Sequence, residues 1–120
     1  MKEEKGHRIK EIFTFANGAS GAALTQERVL TFNGEIIQIH QRNSSNTGAR
    51  TAQLILLDED GFQMWDGTAK AHNANHDFEF GVTIRRLLTG KDTLRCVLSG
   101  DPGASGAEIT VVIRPYGRDG

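Results

Sequence analysis

The chain has 120 residues but only one cysteine, one tryptophan, one tyrosine and two prolines. A lone thiol, Cys96, excludes an intrachain disulfide, so burial and hydrogen bonding must hold the fold together. One domain of this length has enough interior to do so. Excess charge of either sign is lacking too: 14 Lys and Arg stand against 15 Asp and Glu, with no basic block. That balance gives no general attraction to phosphate backbones and argues against nucleic acid as a partner. No apolar run is long enough to span a bilayer, and the opening MKEEKGHRIKE lacks the core of a signal peptide. The expectation is a soluble protein with no membrane partner, at home in a reducing cytoplasm. A long helical period is also missing.

What the chain does have is alternation. Leu94, Cys96 and Leu98 face one way and Thr93, Arg95 and Val97 the other, a period of two that marks a half-buried strand. Cys96 therefore reads as a small core residue rather than a reactive thiol. Glu108 to Arg114 resumes the pattern with β-branched residues until Pro115 stops it. Between them Ser99 to Gly106 (SGDPGASG) cannot be helical, because it holds a proline and three glycines. The final third thus reads as a β-hairpin with a long, shaped loop.

Earlier segments follow the same logic. Ile9 to Phe15 alternates as a first strand, and Ala16 to Thr25 is a small-residue loop or extended arm. Arg28 to Phe32 is a short strand, and Asn33-Gly34 is the strongest hairpin-turn dipeptide present. Glu35 to Arg42 and Ala52 to Leu57 are strands. Asp58-Glu59-Asp60-Gly61 turns the latter into Phe62 to Asp66. Gly67 to Asp77 is polar and irregular, Phe78 to Phe80 a short strand, and Val82 to Leu88 one more strand or a helical turn. About eight short strands at this spacing predict an all-β protein, an antiparallel β-sandwich with jelly-roll winding as one option. One echo stands out: Gly18-Ala19-Ser20-Gly21-Ala22 recurs as Gly103-Ala104-Ser105-Gly106-Ala107. Its flanks do not match, so it reads as shared loop composition, not as a repeat.

Candidate chemistry is thin. Neither glycine loop has the strand–loop–helix setting of a dinucleotide site or the Gly-Lys-Ser/Thr ending of a P-loop. Asp58 to Gly61 opens like a calcium loop, but position 69 is Ala69 where a bidentate glutamate would be needed. His72 and His76, with Asp77, have the four-residue spacing that joins two imidazoles on a helix. Their segment is not helical, and a metal would still need a third ligand from afar. Gly-x-Ser-x-Gly does not occur. No catalytic residue, metal site or cofactor is expected, and the chain does not read as an enzyme. Trp65 is expected to supply core area; exposed beside His72 and His76, it would instead make a sugar-stacking platform.

Three runs carry a resemblance: Leu54 to Gly61 (LILLDEDG), Trp65 to Ala71 (WDGTAKA) and Ser99 to Gly106 (SGDPGASG). Spread over residues 50 to 116, they resemble small virion structural proteins of tailed bacteriophages, in particular head decoration (cement) proteins. The resemblance implies a non-enzymatic protein on the outer capsid surface, assembled in the host cytoplasm. Its partner would be the major capsid protein, which it stabilises against internal DNA pressure. Binding to a symmetric lattice favours a homo-oligomer, a trimer above all. Residues 1–25 would form an arm with the first strand, residues 26–116 the sandwich, and residues 117–120 a tail. Partner contacts are expected from Phe13 and Phe15 on the arm and from Asp101, Pro102 and Ser105 on the last loop. The alternative is a glycan- or receptor-binding module of a phage tail or fibre, its site lined by Trp65, His72, His76 and Asn75.

Overall fold

The computed structural model describes residues 8–31, 33–80 and 86–115. Nine strands form two antiparallel sheets: β1 (Ile9–Phe15), β2 (Thr25–Leu30), β3 (Asn33–Asn43), β4 (Ala52–Leu57), β5 (Gln63–Asp66), β6 (Ala74–Glu79), β7 (Arg86–Thr89), β8 (Asp92–Leu98) and β9 (Ala107–Pro115). The first sheet runs β1-β9-β3-β6, with β7 also on β3; the second runs β2-β8-β4-β5. β6 pairs with Gln38–Asn43 of β3 and β7 with residues 33–36, so the two lie end to end along one long strand. Among the described residues the only helical element is a single 3-10 turn, Gly21–Leu24. The predicted β-sandwich is the fold.

Alternation fills the space between the sheets. Phe13, Phe15, Ile36, Ile39, Ile109, Val111 and Ile113 from one sheet meet Leu30, Leu54, Leu56, Leu94, Cys96 and Leu98 from the other, all at 1 % exposure or less. Each large side chain so buried contributes about 1.5–3 kcal/mol. β8 shows the sequence reading directly, with Leu94, Cys96 and Leu98 buried and Thr93, Arg95 and Val97 half-buried on the outer side. Burial pushes the Cys96 thiol up to about 12, slightly offset by the Arg28 charge.

Strand pairing departs from the sequence reading in two places, for one reason. β8 pairs with β2 and β4, whereas β9 pairs with β1 and β3, so Ser99 to Gly106 crosses between sheets and closes no hairpin. Likewise β2 and β3 lie in different sheets, so Asn33-Gly34 begins a strand after a crossover; Gly34 has φ 145. Alternation fixes which face of a strand is buried but not which strand lies beside it. The hairpin at Asp58 to Gly61 does form. Asp58 Oδ1 accepts from the amides of Asp60 and Phe62, each at 2.9 Å, and Gly61 takes φ +88.

Within residues 1–25, Ile9–Phe15 is the first strand that its alternation predicts. Ile9 to Phe15 pairs residue for residue with Ile113 to Ala107, and Phe13 and Phe15 lie 0 % and 1 % exposed in the core. They hold the sandwich together and present nothing to a partner. The other edge of β1 is occupied by side chains from β2. Arg28 Nη2 donates to the Ile12 carbonyl at 2.9 Å and Gln26 Nε2 to that of Thr14 at 2.5 Å. The Arg28 guanidinium also sits 4.8 Å from the Phe13 ring centroid and 3.9 Å from Glu11. Met1 to His7, most of the Val82 to Leu88 segment and the tail 117–120 lie outside the described residues.

Candidate interaction surfaces

At one end of the sandwich the loops are tied into one another, and the SGDPGASG loop is their centre. Pro102 is buried. Its carbonyl accepts from Gly48 N at 2.7 Å and from Thr47 Oγ1 at 3.2 Å. Arg50 Nε donates to the Asp101 carbonyl at 3.0 Å. A Cβ on Gly48 would stand 2.4 Å from that carbonyl oxygen, so only glycine lets the loops meet. Asn46, buried at 3 % exposure, closes the next turn through Arg50 N at 2.8 Å. Gln41 and Asn43 extend the seam inward: Gln41 Nε2 donates to the Ala52 carbonyl and Asn43 Nδ2 to those of Lys70 and Ala71.

Asp101 gives the glycine echo a physical meaning. Its Oδ1 accepts from Gly103 N and from Gly18 N, both at 2.9 Å. Those two amides and the nearby Arg50 hold the carboxyl below the usual carboxylate range. Gly18, Gly21, Gly103 and Gly106 all take positive φ, 87°, 56°, 90° and 68°. The two Gly-Ala-Ser-Gly segments thus repeat the left-handed backbone at matching positions and meet at one carboxylate oxygen. Of the residues expected to contact a partner, Pro102 is buried, and Asp101 is exposed with its Oδ1 engaged by the two glycine amides. Ser105 is exposed, its Oγ near only the Gly106 carbonyl at 3.2 Å.

On the flank formed by β5 and β6 the aromatics gather. Trp65 is half-buried, edge-on to Phe78 and Phe80 with centroids 5.1 and 5.3 Å apart. His76 packs on the same Phe78 ring at 4.5 Å, and Lys70 Nζ stands 5.4 Å from its centroid. Gly67 makes room for this cluster, since a Cβ there would lie 2.7 Å from Phe78 Cζ and 3.1 Å from Trp65. His72 turns away, its Nδ1 accepting from Asn46 N at 3.2 Å. Trp65 and His76 therefore share one ring, and His72 belongs to the loop end. Asp77 pairs with neither histidine of that segment but with His40, 2.5 Å from its Nδ1. Among the described residues no group of three or more His, Cys, Asp or Glu is placed to hold a metal ion. Nor is any helix there long and apolar enough to cross a membrane.

Two shallow clefts lie on or beside the exposed face of the first sheet. One, of about 280 Å³, is lined by Arg42, Asn43, Ser44, Asn73, Ala74 and Asn75. The other, of about 230 Å³, is lined by Arg8, Gln38, His40, Val112 and Arg114. The sequence reading missed the second, because its residues come from strands far apart in the chain and only their register unites them. The outer face of the second sheet is less charged. It presents Val29 at 62 % exposure beside Thr93, and one ion pair, Arg95 to Glu27 at 2.7 Å; Phe62, in the β4–β5 connection, is 70 % exposed.

The class of protein is therefore a small all-β sandwich of two antiparallel sheets with interlocked loops at one end. No protein-family model matches the chain, and no curated protein does. Among solved structures it is similar to the SPBc2 prophage-derived protein YomS. That likeness has a TM-score of 0.53 at 16 % identity, and covers 89 % of this chain and 94 % of that one. At this identity the likeness is one of fold. It spans nearly the whole of both chains.

Proposed function

We propose that this protein is a non-enzymatic structural component of a phage virion that binds the outer surface of the capsid and stabilises it. The observation that carries the reading is the near full-length fold likeness to a prophage-derived protein. The decoration-protein resemblance of LILLDEDG, WDGTAKA and SGDPGASG points the same way. A sandwich whose sheet-to-sheet loop is pinned by Pro102, Asp101 and Arg50 suits a part that must transmit load without deforming. Partner contacts then come from side chains left outside the core. Among the described residues Phe62 and Val29 are the most exposed of the large apolar side chains, and Ser105 marks the loop end. The partner is the major capsid protein, and a homotrimer is the assembly that a lattice point would favour.

The test is immunogold labelling of intact virions of the phage that encodes the chain, with mass spectrometry of separated heads and tails. Label and peptide on heads support the proposal. Recovery with tails supports the second reading, a glycan- or receptor-binding module. That reading is favoured by the half-buried Trp65 beside His76 and by the Asn- and Arg-lined cleft at Asn75. Absence from both fractions refutes a virion role.

A further inference from the structure

On the exposed face of the first sheet, β1, β9, β3 and β6 stand side by side, and their register sets two rows of side chains across it. Lys10, Val112, His40 and Asp77 form one row; Arg114, Gln38 and Glu79 form the next. The cations of these rows lie on β1 and β9 and the carboxylates on β6. Both carboxylates are engaged by β3: Asp77 by His40 Nδ1 at 2.5 Å, Glu79 by Gln38 Nε2 at 2.7 Å. Across from them Arg114 makes one long contact, from Nη1 to Gln38 Oε1 at 3.4 Å. Arg8 and Lys10 have no hydrogen-bond or ion-pair partner among the described residues. These two rows thus separate their charges, with the carboxylates satisfied by β3 and the cations on the β1–β9 side left open.

The 230 Å³ cleft lies on that positive side. We propose that it is a binding site for a single anionic group, a carboxylate or phosphate, held between the guanidinium groups of Arg8 and Arg114 over a floor of Val112. A guanidinium presents a planar fork of donors that suits either group, often through paired bonds. Gln38 is a positioning residue, its amide fixed by Glu79 so that its oxygen orients Arg114, and Asp77 fixes the imidazole ring of His40. With Nδ1 engaged by Asp77, Nε2 is the nitrogen left for a ligand and becomes a donor in the imidazolium form. The site is independent of the capsid reading and would serve a head or a tail protein equally.

The experiment is an amide and imidazole NMR titration of the full chain at low salt with inorganic phosphate and, separately, D-glucuronate. D-glucose and sodium chloride are the controls. The expected result is saturable shifts at His40, Val112 and Arg114 with an anion, fitting a dissociation constant in the millimolar range, on the order of 1 mM. Glucose should give none, and Arg8→Gln and Arg114→Gln should each weaken binding about fivefold while leaving spectral dispersion intact. Tighter binding of glucuronate would make an acidic sugar the source of the group; tighter binding of phosphate, a phosphate-bearing ligand. Shifts that sodium chloride reproduces, that spread over the whole surface, or that survive in both variants would overturn the site.

Discussion

Gly67→Ala tests the packing of the aromatic flank. The new methyl carbon would stand 2.7 and 2.9 Å from the tip of the Phe78 ring and 3.1 Å from Trp65. Relief requires the Phe78 ring to swing away by most of an ångström, which disturbs its edge contacts with Trp65 at 5.1 Å and His76 at 4.5 Å. Each such contact is worth about 0.5–1.5 kcal/mol, and overpacking typically costs about 1–3 kcal/mol. Because Phe78 is half-buried and its ring can yield, we expect a loss of about 1–2 kcal/mol, within the overpacking range. Trp65 is the only tryptophan, so its emission reports on this cluster alone. Urea unfolding followed by Trp65 fluorescence and by circular dichroism should show the midpoint falling with the slope unchanged, and the native emission maximum should move. In a Phe78→Ala background the obstacle is gone, so the same substitution should cost little. The cycle should then give a coupling of about 1 kcal/mol. Equal cost in both backgrounds would refute the assignment of Gly67 as the space-maker for Phe78.

Further outcomes follow from three residues of the core and the loop end. Phe13→Ala, at a fully buried position under the Arg28 guanidinium, should cost about 3–5 kcal/mol in urea unfolding; a loss below about 1 kcal/mol would mean that Phe13 is not core. Cys96, pushed up to about 12, should resist a thiol reagent at pH 8 in the native state and react once urea unfolds the chain. An unfolded thiol ionises near about 8.5 while the folded one stays neutral, so Cys96 should erode stability progressively as pH rises above that value. Asp101, lowered by the Gly103 and Gly18 amides, contributes stability above its unfolded value of about 3.9 and loses it as pH falls through the folded one. Asp101→Asn should therefore speed amide exchange at Gly18 and Gly103 together, and protection kept at either would dissolve the shared link.

Much of the architecture was legible in the sequence because alternation is a local signal. The buried trio Leu94, Cys96 and Leu98, the Asp58 turn and the end of the last strand at Pro115 could each be read from a few neighbouring residues. Partnership is not local. Asn33-Gly34 has the composition of a tight hairpin, yet β2 and β3 diverge into separate sheets. The loop from Ser99 to Gly106 likewise looked like the end of a ribbon but joins two layers. Phe13 and Phe15 are partner contacts only by the resemblance; their own period of two marks a core strand, and they are buried. The glycine echo was visible as letters, but its meaning needed Asp101 at the crossing of two loops. The Arg8–Arg114 cleft could not be foreseen, since no spacing in the chain links residues that register alone brings together.

The occupied edge of β1 has a bearing on how copies of the chain can combine. With the Ile12 and Thr14 carbonyls already taken by Arg28 and Gln26, that border cannot recruit another strand through them. The opposite border of the same sheet, along β6, has no further strand beside it among the described residues. Of the two borders of this sheet, strand addition is thus open along β6 and obstructed along β1.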